Sequence, residues 1–163
     1  MPFNLLLLPL VGGYYFLITS RLTKYIHQRI DRQKLIFNAV LAGIFLLGLA
    51  IVGVKVLETL QPVWLEGIKQ YIPLQLPYTG TSILSFGLGV ALSHLSNLFI
   101  SDTQALSRSI KFIGNELEQL VRSAFLNAAL ISFTMKSGKV YIGWPLSLPR
   151  PSSGSYLSVL PLI

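Results

Sequence analysis

The side chains equipped for chemistry in this chain are few, and they do not converge. His94 and Asn97 lie near the end of a long apolar stretch. An ionisable group inside a membrane span is a candidate functional group by default. No carboxylate lies in the apolar stretches to partner His94, and the stretch ends within two turns of it, so a histidine satisfied at the membrane interface is the plainer reading. Glu116 and Glu118 stand two apart on a predicted helix and diverge, which spoils a paired-carboxylate site. His27 and His94 sit in different environments and the chain has no cysteine, so convergent metal ligands and thiolate chemistry are both missing. Gly87-x-Gly89 falls within an apolar stretch and reads as a packing feature rather than a phosphate loop. Serines are plentiful, with no base and orienting carboxylate beside them. The expectation is therefore no enzyme, no metal and no cofactor.

The elements that hold these residues are dominated by apolar runs. Of the 163 residues, 52% are hydrophobic and 12% charged, against about a quarter charged in ordinary soluble domains. Three spans are predicted, over 3–19, 35–54 and 79–100, within a transmembrane domain of residues 1–100. About 20 apolar residues cross a hydrocarbon core of roughly 30 Å. The first span is the weakest, because Pro9 and the Gly12–Gly13 pair interrupt it. The net charge is +7, and its distribution sets the topology. Arg21, Lys24, Arg29, Arg32 and Lys34 crowd the 20–34 connection against Asp31, whereas the 55–78 connection is balanced. Basic residues in short loops stay cytoplasmic. The reading is a multi-pass membrane protein, N-terminus outside and tail inside. The five basic side chains are expected to touch anionic lipid headgroups. Specific nucleic-acid binding is not expected, since no aromatic platform interleaves with the charge.

Two features of the spans point to close helix contacts. Ala39 and Gly43 form a small-xxx-small pair in the second span. Ser82, Ser85, Gly89, Ser93 and Ser96 recur at three and four, making one ridge along the third. That ridge suits packing against the second span of the same chain; self-association or a polar pore lining is the alternative. In the outer connection, Pro62 can open a surface helix presenting Trp64, Ile68, Tyr71 and Ile72.

Residues 101–128 read as an amphipathic cytoplasmic helix with a stripe of Leu106, Ile110, Ile113, Leu117 and Leu120; it starts either at a capping box from Ser101 and Gln104 or as a continuation of the third span. Residues 129–163 then form a small β-domain: strand-like runs at 129–135, 139–144 and 156–163, with Lys136-Ser137-Gly138 as the first turn. The fold class is thus membrane α-helical, followed by an amphipathic helix and a small antiparallel β-meander or partial β-barrel.

The run from Phe133 to Gly143, FTMKSGKVYIG, resembles the first hairpin of Sm-like and SH3-like small β-barrels. In those, Gly138 would serve the turn and Gly143 the sharp bend. The whole order, spans, helix, SGKVYIGW and YLSVLPLI, is similar to a group of uncharacterised bacterial inner-membrane proteins. That resemblance implies an envelope-anchored cytoplasmic small barrel. The sequence lacks the second Sm-like RNA-binding motif, and three strands are visible where a barrel wants about five. A last apolar strand calls for pairing with another chain, an open barrel, or further sequence. Together these features predict a scaffold or adaptor whose tail recruits a protein partner. The alternative is a homo-oligomeric pore or membrane-perturbing effector.

Overall fold

The computed structural model describes residues 4–60, 79–151 and 157–161. The predicted surface helix after Pro62 lies outside the described residues. The chain forms two compact units, Met1–Phe99 and Ile100–Ile163.

The first unit is a helical bundle. Helix α1 spans Asn4–Thr19, a short α2 covers Lys24–His27, α3 spans Arg32–Leu60, and α4 spans Thr79–Phe99. Helices α3 and α4 are long and apolar enough to cross a membrane. Helix α1, at 16 residues, reaches only about 24 Å at 1.5 Å per residue. Three crossings are therefore an expectation that the described helices meet in two.

Pro9 and the two glycines do not interrupt α1, as the sequence suggested they would. They are where its neighbours touch it. A Cβ built on Gly12 would lie 2.9 Å from Phe86 Cα of α4, and one on Gly13 would lie 2.5 Å from the Ala39 carbonyl oxygen of α3. Successive residues on a helix point about 100° apart. One glycine pair thus lets α1 receive a helix on each of two faces, with neither side chain holding the backbones apart.

Burial in this unit is the reverse of a soluble bundle. Ala39, Gly43, Leu46 and Ala50 face inward on α3, while Phe37, Ile44 and Phe45 are 64%, 62% and 66% exposed. On α4 the inward residues are Thr79, Ser82, Ser85, Gly89 and Ser93.

The second unit begins with two helices where the sequence predicted one. Helix α5 spans Asp102–Ile113 and α6 spans Glu116–Leu126. The expected capping box at Ser101 and Gln104 is present, so α4 does not run on. The stripe through Ile113, Leu117 and Leu120 fails because Gly114 is extended (φ −67°, ψ 145°) and Asn115 starts a second capping box with Glu118. Asn115 Oδ1 accepts from the Glu118 N–H at 2.8 Å, and Glu118 Oε2 accepts from the Asn115 N–H at 3.0 Å. Two donors satisfied locally outweigh continuing a helix through glycine. Leu106 and Ile110 are buried, whereas Leu117 and Leu120 are more than half exposed.

Strands β1 (Ile131–Thr134), β2 (Val140–Pro145) and β3 (Val159–Pro161) form an antiparallel sheet in that order. This is the expected meander. Ile131 packs with Val121 and Ala124 of α6, and Phe133 and Leu157 cover that cluster.

Candidate functional site

Two places gather polar or binding-competent groups, one in each unit.

In the helical unit, the end of α1 is stitched to the end of α4. Asn97 Oδ1 accepts from the Arg21 backbone N–H at 2.7 Å, and Asn97 Nδ2 donates to the Thr19 carbonyl at 3.2 Å. Arg21 Nη1 donates to the Asn97 carbonyl at 2.8 Å, and the Ser20 and Ser96 hydroxyls meet at 2.6 Å. Helix ends leave carbonyls and amides unsatisfied, and one asparagine supplies both partners here. His94 Nε2 stands 3.4 Å from Tyr15 Oη. His27 lies apart from this clasp, with Nδ1 3.0 Å from the Thr23 carbonyl and Nε2 3.3 Å from Asn38 Nδ2. These contacts make the polar residues structural joints between helices.

The small-residue ridge lies against α1 and not, as expected, chiefly against the second span. A Cβ on Gly89 would lie 2.5 Å from the Gly12 carbonyl oxygen. On α3, a Cβ on Gly43 would lie 2.6 Å from the Pro9 carbonyl oxygen. Two ridge hydroxyls fold back on their own helix: Ser85 donates to the Ser82 carbonyl at 2.8 Å, and Ser96 to the Ser93 carbonyl at 2.7 Å. Their smallness matters here more than their hydrogen bonds. Across the contact, the Ser96 hydroxyl also meets that of Ser20.

The five basic residues are spread along the connection. Arg21 joins the clasp, Lys24 opens α2 with its ammonium 5.6 Å from the Tyr25 ring centroid, and Arg29 lies between α2 and α3. Arg32 and Lys34 are exposed in the first turn of α3. No local helix effect favours cations there, since the N-terminal end of a helix dipole attracts anions.

In the tail unit the candidate site is the sheet edge. The hairpin closes with the Met135 N–H donating to the Lys139 carbonyl at 2.8 Å and the Gly138 N–H to the Met135 carbonyl at 2.9 Å. Gly138 has φ +79° with open space around it, so conformation and not room requires the glycine. Gly143 was expected to permit a barrel bend. Its observed role is different: a side chain there would strike the Leu160 carbonyl and Val159 Cγ1 of β3. The glycine lets β3 pair close.

The ladder then dictates which backbone groups point outward. Met135 and Lys139 form a hydrogen-bonded pair, and such pairs alternate along an antiparallel ladder. Phe133 and Ile131 therefore bond to β2 through Tyr141 and Gly143. Ser132 and Thr134 turn their N–H and C=O away from the sheet. By the same alternation, Leu146 bonding Ser158 at 2.8 Å makes Trp144–Leu160 a bonded pair and turns Val159 and Pro161 outward. Proline has no N–H, so the β3 edge is a poor template, whereas the β1 edge is open among the described residues.

No protein family matches this chain, and no curated protein or solved structure is similar to it. The reading of function therefore rests on these two places alone. A groove of about 380 Å³ lies beside β1, lined by Leu120, Ser123 and Ala124 of α6, by Asn127 just past it, and by Leu130, Ile131 and Ser132. Among the described residues, no three His, Asp or Glu side chains converge to hold a metal ion. The sequence signalled the hairpin but not the guarded and unguarded edges, because those depend on which ladder positions Ser132, Thr134 and Pro161 occupy.

Proposed function

We propose that the chain is a membrane-embedded scaffold whose tail recruits a protein partner. The supporting observation is the open β1 edge with a groove beside it, on a unit whose sheet also exposes Val140, Tyr141, Ile142 and Trp144. Strand addition uses main-chain hydrogen bonds for affinity and side-chain pockets for choice. The helical unit would serve as the anchor in a bacterial inner membrane, with the 20–34 connection and the tail on the cytoplasmic face. Arg32 and Lys34 support that orientation, because a cytoplasmic face with anionic lipid attracts them where the helix dipole does not.

A pore of identical chains would need the serine ridge to line a channel or an interface between copies. Ser85 and Ser93 are fully buried within one chain, which favours the scaffold.

The experiment is site-specific photo-crosslinking in the native membrane from two places, Ile142 on the sheet and Phe45 on α3. A polypeptide adduct from Ile142, with lipid adducts from Phe45, is the expected result. Recovery of the protein with no polypeptide adduct from the tail would overturn the reading.

A further inference from the structure

The recruitment reading leaves open what kind of segment the tail accepts, and the charge and hydrogen-bond pattern of the sheet narrow it. We infer that the tail binds an extended acidic peptide, added as a fourth strand on the outer edge of β1, with an apolar side chain seated in the groove against α6. This rests on the recruitment reading and names its ligand class.

Three observations carry it. First, Ser132 and Thr134 offer two N–H and two C=O groups outward, spaced as one strand presents them to the next. The β3 edge offers no such set, because Pro161 interrupts it. Second, a strand paired there would lie about 4.8 Å outside β1, bringing every second side chain over Leu120, Ser123 and Ala124, which line the groove. Leu120 and Leu130 are 52% and 48% exposed and would be covered by it. Third, residues 129–163 carry Lys136, Lys139 and Arg150 and no acidic side chain. Lys136 and Lys139 flank the Thr134 end of the edge, so acidic residues at that end of the incoming strand find opposite charge. The acidic side chains of the tail, Asp102, Glu116 and Glu118, lie in the first turns of α5 and α6, Glu116 one turn before Leu120 of the groove wall.

The pairing leaves a signature that ordinary side-chain recognition would not. The Ser132 N–H takes no part in the β1–β2 ladder, so Ser132→Pro removes one edge donor and leaves that ladder intact. Ser132→Ala leaves the backbone unchanged. Ser123→Trp fills the groove from an exposed position on α6 and leaves the outward N–H and C=O groups of β1 in place.

The test uses the full chain in lipid nanodiscs and a fluorescein-labelled peptide of alternating valine and threonine ending in two glutamates. Anisotropy should show saturable binding that Ser132→Pro and Ser123→Trp each weaken at least tenfold and Ser132→Ala leaves within twofold. Replacing the glutamates with lysines should weaken binding at least tenfold. Equal binding to Ser132→Pro, or no saturable binding up to millimolar peptide, overturns the inference. A native partner held equally by wild type and Ser132→Pro overturns the β1 edge while recruitment stands. If Ser132→Pro instead abolishes association of the chain with its own copies, the edge takes a second copy and the acidic peptide is wrong.

Discussion

The two units solve opposite packing problems. In the helical unit small and polar residues go inward, Ser82, Ser85, Gly89 and Ser93 on α4 and Ala39 and Gly43 on α3, while Phe37, Ile44 and Phe45 face out. In the tail Leu106, Ile110, Val121 and Ile131 go inward. Where lipid replaces water, apolar surface gains nothing by burial and close backbone approach takes over. Bulk should therefore be tolerated outside the bundle and forbidden inside it, and in the tail the order should reverse.

The sharpest way to break that comparison is to add volume at paired glycines. Gly89→Leu and Gly43→Leu each drive a side chain into the α1 backbone. Either should destabilise the bundle by about 3 kcal/mol or more, above the usual overpacking cost. Gly87→Leu on the same helix meets open space and should change little. Thermal unfolding in detergent followed by circular dichroism compares the three. Equal effects at Gly87 and Gly89 would refute the inward ridge.

Smaller effects separate size from hydrogen bonding. Asn97→Leu removes the bonds to Thr19 and Arg21 and should cost about 1–2 kcal/mol by the same measurement. Ser93 Oγ is buried and makes no hydrogen bond among the described residues. Ser93→Ala should therefore be neutral or slightly stabilising, within about 1 kcal/mol.

In the tail the same logic runs through caps and turns. Asn115→Ala removes the cap that breaks α5 from α6 and should cost about 1 kcal/mol in urea unfolding followed by tryptophan fluorescence. The smallest change should be a gain. Ala128 holds φ +49° just past α6, where the Ala129 N–H reaches back to the Ala124 carbonyl at 2.9 Å. Glycine is the residue that end favours. Ala128→Gly should stabilise the tail by up to about 1 kcal/mol, net of the greater freedom glycine has when unfolded.

These positions also mark how far the sequence could be read. Apolar length revealed α3 and α4, three-and-four spacing revealed the ridge, and Ser101 with Gln104 and Lys136–Gly138 marked a helix start and a hairpin. Each of those signals is local. Gly12 and Gly13 read as breakers in the sequence, because a glycine that permits contact looks the same there as one that ends a helix. The break at Gly114 was hidden by an apolar stripe that continued in phase across it. The role of Gly143 depends on β3, which lies more than a dozen residues further along the chain. The open β1 edge needed the ladder register, which composition does not carry.

In the proposed scaffold, one chain uses up its own ridge and leaves its tail to bind something else. Native mass spectrometry of the protein gently extracted from its membrane tests it most directly. One copy of this chain bound to a different polypeptide is the expected result. A ring of identical chains with no other polypeptide would contradict it.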